Sequence, residues 1–214
     1  MPHPSLLIIR QEHRALSSML RSILLLLADH RRRGSLPDFA ALRAMLFYVD
    51  EFPEKLHHPK ESLLLFPKLR GHAVRTDALL DRLDRDHASG ESLIQGLEHA
   101  LLGFEMMAET GAQESRRAEF ETAMHLYARF YLEHMRVEET EVLPLAEAVL
   151  GPDDWAELDT AFQTHRDPLA GFEATEAYQP LFRKIVCALP GAGGVGSALE
   201  ALAGAGPAKY RAPA

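Results

Sequence analysis

Four histidines and two glutamates are spaced so that they could build a metal site. His57 and Glu61 lie four residues apart, and His134 and Glu138 repeat that step. On an α-helix, residues four apart share a face and sit about 6 Å apart along the axis, so a ring and a carboxylate can aim at one point. Imidazole is the commonest ligand for iron, copper and zinc. A carboxylate has two oxygens and can bridge two cations, so two of them would hold a metal pair close and offset much of its charge. Glu138 buried on an apolar face without a cation would be expensive. His13 and His87 stand alone, each preceded by an acid, Glu12 and Asp86.

These motifs recur. His57–Glu61 and His134–Glu138 are offset by 77 residues, and His13 and His87 by 74. The residues downstream match too: Leu65-Phe66-Pro67 after the first pair, Val142-Leu143-Pro144 after the second. The chain reads as two copies of one unit, a lone-His helix and then a His-x-x-x-Glu helix. Antiparallel packing of two such units would put a dinuclear site near a pseudo-two-fold axis.

The elements that must carry these side chains are helical, since periodicity near 3.6 dominates and no strand alternation appears. The first helix is predicted from Pro4 or Ser5 to Arg33, with Leu6, Ile9, His13, Leu16, Leu20, Ile23 and Leu27 on its apolar face and Gly34 ending it. A second runs from Asp38 to His57 or beyond, kinked or loosened by Pro53 and Pro59, and a shorter piece continues to Leu69. The third spans Thr76 to Glu109, with Leu80, Leu83, His87, Gly90 and Ile94 on its face. The fourth covers Glu114 to Leu150 through Phe120, Met124, Tyr127, Tyr131, His134 and Glu138. Gly151-Pro152-Asp153 breaks it and starts a short helix to His165, and a last segment lies near Ala174 to Ala188. Each long helix carries one histidine on its apolar stripe. The fold class expected is all-α: an up-down-up-down four-helix bundle with two short extra C-terminal helices. It occupies residues 1–190, with a flexible Gly/Ala/Pro-rich tail over 191–214.

Composition narrows the function. The formal net charge is −8, which disfavours nucleic acid or anionic lipid as partners. Arg31-Arg32-Arg33 is short and sits at a helix end, where cations complement the dipole. The single cysteine, Cys187, excludes an intramolecular disulfide and any Cys-based zinc or iron–sulfur site, and fits a reducing compartment. The longest apolar run, Ile23 to Ala28, is too short to cross a bilayer. A soluble cytoplasmic protein is expected.

The lone His, the His-His-Pro-Lys-Glu…Leu-Phe-Pro block at 57–67, the third-helix His and the His-x-x-x-Glu-Glu…Leu-Pro block at 134–144 together resemble the hemerythrin-like HHE family. Residues 161–171, AFQTHRDPLAG, are similar to the aspartate-proline-leucine segment found after the bundle in bacterial members. The resemblance implies two iron ions, carboxylate- and oxo-bridged, with His13, His57, Glu61, His87, His134 and Glu138 as ligands. Oxygen-carrying hemerythrins have a second His one turn after the third-helix His; here Glu91 stands there, beside Gly90. One iron then holds water, or Glu91 binds it.

Other side chains have plainer roles. His58 is the alternative to His57, which the i,i+4 step to Glu61 favours. Glu139 and Glu141 are expected at the surface, and Tyr127 and Tyr131 in the core. His165 and Asp167 suit a cap or turn, while His3, His30, His72, His99 and His125 look peripheral. Glu54-x-x-His57 is a ferritin-like motif, but that fold needs it twice. Together these features suggest a non-haem di-iron protein that binds, senses or detoxifies oxygen, nitric oxide or peroxide. The alternatives are a di-iron redox enzyme of peroxidase, nitric oxide reductase or iron-centre repair type, and a metal-free bundle that buries four His and two Glu for no benefit. No separate acid–base or nucleophile constellation names a substrate.

Overall fold

The structure is a computed structural model that describes residues 3–164, 166–170, 176 and 178–188. The tail expected over 191–214 and His165 lie outside the described residues. Among the described residues the regular structure is helical, without strands. Helix α1 is Pro4–Arg33, with Pro4 at its first position and Gly34 closing it in the left-handed conformation at φ 61°. The Gly34 N–H returns to the Arg31 carbonyl and the Ser35 N–H to the His30 carbonyl, and the last turn is rich in cations, as the helix dipole favours. Asp38 caps the next helix by accepting from the Ala41 N–H at 3.0 Å.

That helix, α2, continues through residues 39–69 and is loosened into π turns around its prolines, one of the two outcomes expected for them. Phe39–Val49 is α-helical, Asp50–His57 is π-helical, and after one short turn at His58–Lys60 a second π turn covers Glu61–Leu65 before Phe66–Leu69 ends the rod. The wider turns absorb what prolines do to a helix. Pro53 has no N–H and would press on the preceding turn of an α-helix; it lies inside the first π stretch, and His58 N–H reaches the Pro53 carbonyl five residues back. Helix α3 is Val74–Met106, ending three residues earlier than the sequence suggests. Helix α4 covers residues 113–149 and repeats the device: Gln113–Val137 is α-helical, Glu138–Val142 is a π turn, and Leu143–Val149 resumes. Short helices α5, Pro152–Gln163, and α6, Gln179–Ala188, pack on α1 and α2 respectively. A tight turn at Pro168–Ala170 lies against α1.

Two hydrophobic clusters flank a polar layer. One gathers Leu16, Leu20, Leu46, Ile94, Phe104 and Phe120, among others. The other gathers Leu6, Ile9, Phe66, Leu83, Leu143 and Phe162. His13, His57, His87 and His134 stand between them along their helices. The two clusters exclude water, which strengthens the polar interactions within the layer and makes any unpaired group in it costly. Leu20 is fully buried in the first cluster. Leu20→Ala is expected to lower unfolding stability by about 2–5 kcal/mol, read by chemical denaturation, while leaving metal content unchanged.

Candidate metal centre

The six residues nominated by spacing are all buried and converge. His13 Nε2 and His57 Nε2 lie 3.1 Å apart, and His87 Nε2 and His134 Nε2 lie 2.9 Å apart. Glu61 and Glu138 stand between the two pairs. Glu61 Oε1 is 3.3 Å from His57 Nε2 and 3.8 Å from His13 Nε2, while its Oε2 is 3.6 Å from His87 Nε2. Glu138 Oε2 is 3.4 Å from His13 Nε2, and its Oε1 is 3.2 Å from His134 Nε2 and 3.7 Å from His87 Nε2. Each carboxylate thus turns one oxygen to each histidine pair, the disposition a bridge between two cations requires.

The other face of each ring explains why the Nε2 atoms are available. His57 Nδ1 pairs with Glu12 Oε2 at 2.7 Å, His13 Nδ1 with Glu139 Oε1 at 3.1 Å, and His134 Nδ1 with Asp86 Oδ2 at 3.4 Å. His87 Nδ1 pairs with Ser62 Oγ at 2.8 Å. An ionised carboxylate only accepts, so Nδ1 of His13, His57 and His134 carries a proton, and Nε2 is the nitrogen turned toward the two glutamates, where a metal would displace any proton it holds. These partners obey the repeat: Glu12 and Asp86 are offset by 74 residues, Ser62 and Glu139 by 77. Glu139 is therefore not simply a surface residue as expected; it is half-buried and orients His13.

His58 joins the site, and His57 and His58 prove not to be alternatives. Its ring stacks on His87, with centroids 4.3 Å apart, and a ligating nitrogen lies within 4.8 Å of those of His87 and His134. Its Nδ1 pairs with Glu54 Oε2 at 3.1 Å. The His87/His134 side therefore offers three imidazoles and the His13/His57 side two. Glu91 is exposed and takes no part. What Gly90 provides is space: a Cβ there would meet the Tyr131 hydroxyl at 1.7 Å and the Glu54 carboxylate oxygens at 2.6 and 2.8 Å. Glu54 accepts from the Tyr127 hydroxyl at 2.7 Å, so it supports His58 within the core and does not serve a ferritin-like site. Tyr127 and Tyr131 are buried as expected, and Glu141 is at the surface. His58, Glu54 and Glu139 escaped spacing arguments, although the 77-residue offset from Ser62 points to Glu139.

The electrostatics leave a cation-shaped gap. All four oxygens of Glu61 and Glu138 are buried without a hydrogen-bond partner, a state that costs several kcal/mol per charge unless a cation compensates. Burial alone would raise both carboxyls, and Glu138 pushes Glu61 further up. The His57 and His13 rings outweigh this at Glu61, and the His134, His87 and His13 rings do so at Glu138, holding both below the carboxylate range. Burial would lower His57 and His134; Glu61 with Glu12, and Glu138 with Asp86, reverse it. His57 rises well above its ordinary value and His134 to about 10. His58 is driven well down by burial and by the neighbouring His87, His57 and His134. The donor set, nitrogen-rich with two bridging carboxylates, fits a pair of first-row transition metals.

A helical bundle with a buried cluster of histidines and glutamates able to hold metal is the class of protein these features define. The hemerythrin HHE cation binding domain matches residues 6–146, and the chain belongs to that family. Among curated proteins none matches the chain. No helix among the described residues is long and apolar enough to cross a membrane.

This geometry has two measurable consequences. Gly90→Ala should destabilise the fold by roughly 1–3 kcal/mol through overpacking, and Tyr131→Phe in the same chain should recover part of the loss, read by thermal melting. Because His57 and His134 have raised values, both bind protons at neutral pH and a metal must displace them. Metal loading near pH 7 should then release protons, and apparent affinity should fall as pH falls. Titration with ferrous iron in a pH-stat measures this, and loading without proton release would contradict it.

Proposed function

We propose that the chain is a non-haem di-iron protein that binds, senses or detoxifies oxygen, nitric oxide or peroxide. His13, His57, Glu61, His87, His134 and Glu138 would hold the iron pair, with His58 as a seventh donor. The observation that carries this reading is the pair of buried carboxylates with four unpartnered oxygens, ringed by imidazole Nε2 atoms whose Nδ1 atoms are already engaged. Bound iron supplies one-electron chemistry and affinity for small diatomic ligands or peroxide. The protein's own residues orient the five rings and exclude bulk water. They also keep the site narrow, with Tyr131 and Glu54 filling the space over Gly90.

The two sides differ in donor number, and the side with fewer is the one a small molecule can approach. A surface pocket of about 530 Å³, lined by residues that include His13, Arg14, Ser17, Arg21 and Glu139, lies at the outer, Nδ1 edge of the His13 ring on that side. Its lining is mixed, with Arg14 and Arg21 as cations beside Glu139 and Leu169. The alternation of core order supports an up-down-up-down arrangement: α1 and α3 run from the second cluster to the first, and α2 and α4 run back. The domain would then extend over residues 1–190, since α5 and α6 pack on its long helices.

The protein as purified, analysed for metals, is expected to hold about two iron atoms per chain, and Glu138→Ala to lose iron and thermal stability together because metal binding is partly folding energy. Anaerobic optical titration with oxygen and nitric oxide should change the spectrum of the loaded protein. Unchanged iron content in Glu138→Ala would remove that residue from the site, and no spectral response to either gas or to peroxide would defeat the ligand assignment. Steady turnover with an electron donor, as against a single stoichiometric cycle, would favour the redox enzyme.

A further inference from the structure

The segment after the bundle, Asp167-Pro168-Leu169, lies outside the stretch matched by the family and supplies no metal donor. It reaches the centre from behind. Glu12 is a buried carboxylate with both oxygens engaged: Oε2 takes His57 Nδ1 at 2.7 Å, and Oε1 accepts the Asp167 backbone N–H at 3.1 Å. That N–H is 155 residues away in the chain. Asp167 is itself fixed. Its Oδ1 accepts the Leu169 N–H at 2.8 Å, its carbonyl accepts the Ala170 N–H at 3.0 Å, and its Oδ2 accepts the Tyr48 hydroxyl. Pro168 favours an extended residue before it, and Leu169 is anchored in the first hydrophobic cluster. Tyr48 is fully buried against Phe52 and Phe182.

The symmetry mate of this chain of contacts is bare. Asp86 occupies the place of Glu12 in the second repeat, yet it sits 3.4 Å from His134 Nδ1, its side chain is 19% exposed, and its other contact is Arg82 at 3.7 Å. No described backbone group clamps it. The two halves of a pseudo-symmetric site are thus held with unequal stiffness, and the difference traces to a turn that only one half touches.

We propose that Asp167, held by Tyr48, is a positioning residue for one half of the metal centre: its turn locks Glu12, and Glu12 locks the ring plane and tautomer of His57, so that the ion beside His13 and His57 is retained by a segment outside the family-matched region. Partners one step behind a metal-bound histidine typically govern metal affinity by roughly 10–100-fold. The turn acts one step further back, so the lower end of that range is expected. The inference rests on the dinuclear reading of the site.

The test uses the full chain loaded with ferrous iron and monitors release to a strong chelator. Variants are Asp167→Ala, Asp167→Asn and Tyr48→Phe. Wild type should release two equivalents. In Asp167→Ala one equivalent should leave roughly tenfold faster, the same one that His57→Ala abolishes, with the other unchanged; only one of two iron signals in the Mössbauer spectrum should shift. Asp167→Asn keeps an acceptor for Leu169 and the N–H for Glu12, so it should behave as wild type. Tyr48→Phe should give the selective effect in milder form, and it carries the test alone if Asp167→Ala does not fold. Equal acceleration of both equivalents, no acceleration, or an Asn variant as leaky as the Ala variant overturns the proposal. Fewer than two equivalents in wild type would defeat the dinuclear reading itself, a result distinct from two equivalents with no selective loss.

Discussion

Two carboxylates shut away from water dictate most of what surrounds them. Glu61 and Glu138 are 0% and 1% exposed and have no hydrogen bond to any oxygen. An isolated buried carboxylate would take up a proton to escape its charge. Here both stay low because imidazoles crowd them, and His57 and His134 rise in answer. Negative charge on the acids is matched by protons on the rings or by metal cations in their place. Proton and metal therefore compete for the same lone pairs, and the pH dependence of loading and the stability of the fold have one origin.

Helix geometry delivers the two acids in equivalent poses. Each is the first residue of a π turn, and each lends its carbonyl to an N–H five residues on, Phe66 for Glu61 and Leu143 for Glu138. A proline stands six residues after each, Pro67 and Pro144. A proline cannot donate to the turn behind it and crowds that turn in an α-helix. Widening the helix just before it relieves the conflict, and π turns of this sort gather at functional sites in proteins generally. The repeat of proline and glutamate at one spacing is thus a backbone device as well as a ligand motif.

Such regularity is why much of the site was legible in the sequence. The lone histidines and the His-x-x-x-Glu pairs stood out because helical periodicity and internal repetition report the same faces twice. The prolines of α2 announced a kink or a loosening, and helical rules alone could not say that π turns would supply the loosening. His58 was set against His57 by i,i+4 logic, which assumes a single target for both rings. The two rings fall in different groups of possible metal donors, His57 with His13 and Glu61 and His58 with His87 and His134, so both can be donors. Glu91 looked like a ligand only because it occupies a familiar register; Gly90 beside it is the informative residue, and its meaning depends on Tyr131, 41 residues away in the chain. Asp167 acts through Glu12, distant in sequence, and Glu54 is tied to Tyr127 as well as to its i,i+4 neighbour His58, and no local pattern encodes the long-range contacts.

Duplication and divergence set the balance of the site. The repeat supplies matched pairs, Glu12 with Asp86, Ser62 with Glu139, Glu61 with Glu138. It is broken where Met135 takes the place corresponding to His58, and where Tyr131 takes that of Glu54. These changes put the third imidazole on one side and leave the other side with fewer donors next to the open pocket. An ion with fewer protein ligands is the easier to reach and the easier to lose. Stiffening the histidine that holds it, through a buried carboxylate with both oxygens occupied, opposes the loss without filling the position a small ligand would need. At the proposed metal position beside His13 and His57, accessibility and retention would pull against each other, and hydrogen bonds behind the ring would let the protein keep both.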